Sequence, residues 1–251
     1  MGMRHIKVEF GALIIGDEIL SGKRQDKHFD YLQKTLKKYE LSLSWVKYIQ
    51  DDSDEIIQSI KESIKPQTIV FCFGGIGATP DDFTRQAAAD AFNLQLIRNE
   101  EAVKRIEAQF GEGAYPKRVL MADIPNDASL IPNEINKIPG FKIRYHHFLP
   151  GFPEMAWPMV EWILNEYYKD LLNKNDFAEA SIWINDVSES QLIDLMNSIV
   201  KKYPEIKLFS LPKLRPVKTI ELGVKGSAKL VHEAIREIQE KIADLGYQWH
   251  K

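Results

Sequence analysis

Gly74-Gly75-Ile76-Gly77-Ala78-Thr79-Pro80-Asp81-Asp82-Phe83-Thr84 follows directly on the apolar run Thr68-Ile69-Val70-Phe71-Cys72-Phe73. The run reads as a buried strand, and Gln86 to Phe92 reads as a helix. A glycine-rich turn from a strand end into a helix is a ready anion site, because backbone N–H groups and the positive helix end converge there. Asp81 and Asp82 would repel a bare phosphate, and a bridging divalent cation reconciles the two. The same residues also fit a plain helix start, with Thr79 as N-cap, Pro80 as first helical residue and Asp82 at the capping-box position. Capping leaves Gly74, Gly75 and Gly77 unexplained, since three glycines in four positions point to close backbone approach or positive φ. The turn lacks the Lys-Ser/Thr ending of a P-loop and is not a G-x-G-x-x-G dinucleotide turn.

Working outward, Val8 to Ile15 is a second apolar run, ending in Gly16-Asp17-Glu18-Ile19-Leu20-Ser21-Gly22. Asp51 stands just after a third predicted strand, 43–49, where it reaches the same sheet edge or caps a helix beginning near Ser53. Asp26 reads as the N-cap of a helix whose apolar face is Phe29, Leu32, Leu36 and Tyr39. Strands are expected near 7–15, 43–49, 67–73 and 142–149, and helices near 27–39, 53–64, 82–92, 99–110 and 153–171. That alternation predicts an α/β fold: a three-layer α/β/α domain with a mainly parallel sheet over 1–172. Gly111 to Gly140 reads as loops and short strands, and Lys169 to Glu179 as a linker. A smaller α+β domain over 176–251 is expected in β-α-β-β-α order, its last helix burying Leu230, Val231, Ala234, Ile235, Ile238 and Ile242.

Gly16-Asp17-Glu18-Ile19-Leu20-x-Gly22, the Gly74–Thr84 turn and Leu149-Pro150-Gly151-Phe152-Pro153-Glu154-Met155 together resemble the molybdopterin-binding family, in its competence-damage-inducible (CinA) N-terminal branch. Pro132-Asn133 and Pro139-Gly140-Phe141 fit the same pattern, and the likeness covers about residues 5–172. The branch is also similar to half of eukaryotic FAD synthases. Ala78 and His28 depart from the family, which commonly has proline and asparagine there. The resemblance implies catalytic roles for Asp51 and Asp82, ligand contacts from Gly16, Gly74, Gly75, Gly77, Thr79, Thr84, Pro150, Gly151 and Glu154, and a homo-oligomer, dimer or trimer. It implies ADP-ribose pyrophosphatase activity, with molybdopterin binding or adenylyl transfer as the alternative. No deamidase segment follows, so amidohydrolase activity is not implied. The second domain resembles the family's small KH-like module, with ferredoxin-like as the alternative, and Gly223-Val224-Lys225-Gly226 mimics a GXXG clamp. That clamp joins a strand to a helix here, where an RNA clamp links helices.

An oxygen-only set of Asp17, Glu18, Asp81 and Asp82, with Asp51 beside it, suits a hard divalent cation such as Mg²⁺ or Mn²⁺, with Co²⁺ also to be tried. A phosphate on the glycine amides, bridged by that metal, would place a nucleotide phosphoanhydride for hydrolysis. A non-catalytic binding module for a nucleotide or pterin is the reading from a different class. A net charge of −3, and a second domain in which acids balance bases, give no ground for a nucleic-acid partner. The charged N-terminus is no signal peptide, and no apolar stretch reaches the roughly 20 residues of a membrane span. The expected location is therefore cytoplasmic. Cys72 reads as core, and His146 and His147, adjacent in a strand, face opposite sides and cannot share a metal. Trp157, Trp162 and Trp183 read as core or as interface residues.

Overall fold

The computed structural model describes residues 8–172, 177–213 and 218–251. Lys7, at the edge of the first expected strand, and linker residues 173–176 lie outside them. The chain divides into two compact units, Met1–Leu172 and Asn173–Lys251.

The first unit runs β1 (Glu9–Ile15), α1 (Asp17–Leu20), α2 (His28–Lys38), β2 (Leu43–Ile49), α3 (Ser53–Ser63), β3 (Thr68–Phe73), α4 (Thr84–Phe92), β4 (Leu96–Arg98), α5 (Glu100–Phe110), β5 (Asp123–Pro125), β6 (Ser129–Ile131), β7 (Gly140–Ile143), β8 (His146–Leu149) and α6 (Pro153–Tyr167). Its main sheet has the order β2-β1-β3-β8-β7-β6. The first four of these run parallel, while β7 and β6 are antiparallel additions at one edge. Every residue of β3 is buried, as expected of a central parallel strand covered on both faces. Phe71 and Phe73 pack with Leu32 and Leu36 of α2 and Met159, Val160 and Ile163 of α6. Val70 and Cys72 pack on the other face with Ile56 and Ile60 of α3 and Ala87, Ala88 and Ala91 of α4. These are the three layers of the expected α/β fold.

Several expectations are corrected. The strand expected over 142–149 is a hairpin, β7 and β8, because Arg144 turns the chain with φ 51°. The helix expected from 82 begins at Thr84 with Phe83 as N-cap, so the Thr79 capping box does not form. Asp52 caps α3 through Glu55 N–H at 2.9 Å, which removes the capping role considered for Asp51. The helix expected to reach 171 ends at Tyr167.

The second unit contains β9 (Phe177–Asn185), α7 (Glu189–Lys202), β10 (Lys207–Lys213), β11 (Thr219–Ser227), α8 (Ala228–Asp244) and β12 (Trp249–His250). Its antiparallel sheet has the order β10-β11-β9-β12, so a short sixth element closes a β-α-β-β-α-β pattern. Strand β9 starts inside the stretch read as linker, because Phe177 to Glu179 pair with Lys225 to Ser227. The GXXG clamp does not form. Gly223 and Gly226 lie within β11, and the Phe209 ring lies across Gly223, where a Cβ would meet it at 2.3 Å.

Candidate functional site

The strands are parallel, but the order in which the chain adds them reverses between β1, which leads outward to β2, and β3, which leads outward to β8. In open α/β sheets that switch opens a crevice at the carboxyl ends of the strands. The loops after β1, β2, β3 and β8 all emerge there, and backbone bonds tie them together. Gly16 N–H donates to Ile49 O at 3.1 Å, and Gly74 N–H donates to Leu149 O at 3.0 Å. Gly151 lies against Gly74, where a Cβ would come within 3.4 Å of the Gly74 Cα.

Asp17 and Asp51 hold each other. Asp17 N–H donates to Asp51 Oδ2 at 2.9 Å, and Asp51 N–H donates to Asp17 Oδ1 at 3.3 Å. The Asp51 carboxyl is pushed above the usual carboxylate range, first by burial and then by the charges of Asp17, Glu18 and Asp81, against the lowering effect of the Asp17 N–H. A carboxylate so placed is a better base than a solvated one.

The turn after β3 is built around two glycines with positive φ. Gly74 has φ +105°, with Ile15 O 2.3 Å from the place of a Cβ; Gly75 has φ +68°, with Thr84 Oγ1 at 2.2 Å. Thr84 N–H donates to Gly75 O at 3.0 Å, which folds the turn onto the start of α4. The N–H groups of Gly75, Ile76, Gly77 and Ala78 meet no acceptor among the described residues. Asp82 closes the loop, with Thr79 N–H and Thr79 Oγ1 donating to its Oδ2 at 2.8 and 2.5 Å. Gly75→Ala should cost about 1–3 kcal/mol through positive φ and the close approach to Thr84. Gly22→Ala, at φ +73° with open space around it, supplies the strain alone. Chemical denaturation of both variants checks this, and equal losses would remove Thr84 from the account.

Arg85 and His28 brace these loops. The Arg85 guanidinium donates to Gly77 O, Leu120 O and Asp123 O. His28 stacks on Phe73 at 4.3 Å between ring centroids and donates Nε2–H to Gly151 O at 3.2 Å. Its Nδ1 is then a buried lone pair without a protein partner. Burial lowers the pKa of His28, which favours this neutral form. Asp26, expected as the N-cap of α2, lies one residue ahead of the N-cap Lys27, yet its carboxylate accepts from His28 N–H and Phe29 N–H and also takes the Tyr48 hydroxyl at 2.8 Å. No local pattern marks Arg85, because its acceptors lie up to 38 residues away.

Residues 11–170 match the model of a family described as a probable molybdopterin binding domain. The chain belongs to this molybdopterin-binding domain family. A protein of Saccharolobus islandicus is 29% identical over 244 residues, covering 92% of this chain and 91% of that one. One from Archaeoglobus fulgidus is 26% identical over 238 residues, covering 94% and 99%. The crystal structure of the protein CinA of Thermoplasma acidophilum, described as of unknown function, shares the fold with a TM-score of 0.58 and 24% identity, over 65% of this chain and 99% of that one.

In this molybdopterin-binding domain, Gly16, Asp17, Glu18, Asp51, Gly74, Gly75, Gly77, Thr79, Asp81, Asp82, Thr84, Pro150, Gly151 and Glu154 all sit on the loops of one sheet edge or on the first turns that follow. Pro153 and Glu154 form the first turn of α6, and the Glu154 charge reaches His28. Among the described residues, however, no three His, Cys, Asp or Glu converge as metal ligands. The site therefore does not fit a resident metal held by protein alone. His146 and His147 lie on opposite faces, bonded to Ser63 and Tyr168 respectively. Trp157 stacks on Tyr31 at 4.4 Å and Trp162 packs edge-on against Tyr167, so both serve packing within the first unit. No described helix is long and apolar enough to cross a membrane.

Proposed function

We propose that the chain binds a nucleoside diphosphate derivative in the crevice between β1 and β3 and hydrolyses its phosphoanhydride, with ADP-ribose as the first substrate. The observation that carries this reading is the row of acceptor-free amides, Gly75 to Ala78, on the same sheet edge as the Asp17–Asp51 pair. The amides receive phosphate oxygens, and Asp51 takes the proton of the attacking water. The new P–O bond forms as the bridging P–O bond breaks, giving AMP and ribose 5-phosphate. Mg²⁺, Mn²⁺ or Co²⁺, carried in with the phosphates, would supply charge neutralisation beside Asp17, Glu18, Asp81 and Asp82. Asp82 also keeps the turn closed through Thr79.

The family's description as a probable molybdopterin binding domain supports a second reading, in which the crevice holds molybdopterin; its role would then be adenylyl transfer, or binding of a nucleotide or pterin without turnover. We take the working form to be a cytoplasmic homo-oligomer of two or three copies, without a nucleic-acid partner. The deciding experiment incubates purified protein with ADP-ribose and each of the three cations, beside Asp82→Asn. AMP formation that needs the cation and falls by at least about tenfold in Asp82→Asn supports hydrolysis. Nucleotide binding without AMP under every cation selects the binding module and makes molybdopterin the next ligand.

A further inference from the structure

The peptide joining Gly77 to Ala78 is gripped from one side. Arg85 Nε and Nη2 donate to Gly77 O at 3.1 and 2.8 Å, while Nη1 donates to Leu120 O at 2.6 Å and to Asp123 O at 2.9 Å. Carbonyls from two separate stretches of chain thus hold the guanidinium in one plane. In a trans peptide the N–H points opposite to the C=O, and among the described residues only Tyr115–Pro116 is cis. The Ala78 N–H is therefore turned away from Arg85, and it meets no acceptor among the described residues.

We propose that the Ala78 N–H, aimed by the grip of Arg85 on the Gly77 carbonyl, donates to a phosphate oxygen of the ligand, with Arg85 as the positioning residue. This rests on the phosphate-binding reading above and adds a named donor and its support. Thr84 Oγ1 is an independent sign of a missing acceptor or donor at the same turn. It is completely buried, has no partner, and lies against Gly75. Asp82 does not spoil the site for an anion. Its Oδ2 is taken up by Thr79 N–H and the Thr79 hydroxyl, and its charge acts on the Arg85 cation beside it. The ligand class favoured is one with adjacent, multiply charged phosphates, since each further anionic oxygen meets another amide of the turn.

The test uses the full chain labelled with ¹⁵N and titrated with inorganic pyrophosphate. The Ala78 amide resonance should move downfield together with those of Gly75 to Gly77. Ala78→Pro deletes this one donor and should weaken pyrophosphate binding about tenfold, whereas Ala78→Gly keeps the N–H and should bind within about twofold of the parent. Proline is tolerable here because φ at Ala78 is not positive, the N–H has no partner to lose, and the preceding residue is glycine. Thermal melts confirm that both variants fold. Arg85→Lys should weaken binding in the parent but add little in the Ala78→Pro background, because its effect passes through the Ala78 amide. An Ala78 resonance that stays still while Gly75 to Gly77 shift, or an Ala78→Pro protein that binds like the parent, overturns the proposal. If no resonance of the turn responds, the phosphate-binding reading falls, and this donor with it.

Discussion

Asp51→Asn is expected to cut ADP-ribose hydrolysis by about 10²–10⁴-fold, the usual contribution of a general base, with little change in KM. The asparagine carbonyl can still accept from Asp17 N–H, so the latch between the loops after β1 and β2 survives while the basic oxygen is lost. The stability effect has the opposite sign. Asp51 has a folded pKa above its unfolded one, so the folded state binds its proton more tightly. Its contribution favours folding in acid and is lost as the pH rises through the folded pKa. The neutral amide escapes this, so the variant should melt no lower than the parent at pH 7, with any gain fading toward pH 4. Parallel kinetics and melts check both halves. Full activity with Asp51→Asn would remove Asp51 from the chemistry, and a marked drop in melting temperature would make it a purely structural residue.

Acid should unfold the first unit early, through two buried histidines. Burial holds His146 at about 4 and His147 at about 3, against an ordinary 6.5. Both are neutral in the fold, and their bonds fix the tautomers. Ser63 Oγ gives its proton to Ile60 O, so His146 Nε2–H donates to Ser63. His147 Nδ1–H donates to Val70 O, and Nε2 accepts from the Tyr168 hydroxyl. With folded pKa values below unfolded ones, the stability these groups confer is complete above about pH 6.5 and is lost as pH falls toward 4. Each histidine costs about 1.4 kcal/mol per pH unit in that window, so the pair removes about 4 kcal/mol between pH 7 and pH 5. That is a large share of the roughly 5–15 kcal/mol that holds a domain folded. Urea denaturation at a series of pH values should show this slope, and His147→Gln should roughly halve it. Stability that stays flat from pH 7 to pH 5 would show that the two rings are not closed to protons in the fold.

The sequence by itself determined the layers and the edge where the loops meet. The run Ile69–Phe73 is apolar at every position, as a strand covered on both faces requires, and glycine-plus-carboxylate turns after apolar runs mark strand ends wherever the sheet is parallel. The candidate loop residues were legible for the same reason, since local pattern decides which end of a strand each occupies. Only the tertiary structure decided how those residues are used. Asp51 and Asp52 are chemically identical neighbours, and the one that pairs with Asp17 is separated from it by 34 residues. Thr79 and Asp82 have the spacing of a capping box but close a turn outside the helix, because the Gly75 carbonyl captures the Thr84 amide and starts α4 later. Arg85 is one more charged residue until Leu120 and Asp123 fold over it. Periodicity reports burial along one element, whereas a hydrogen bond between distant loops depends on coordinates that no local pattern encodes.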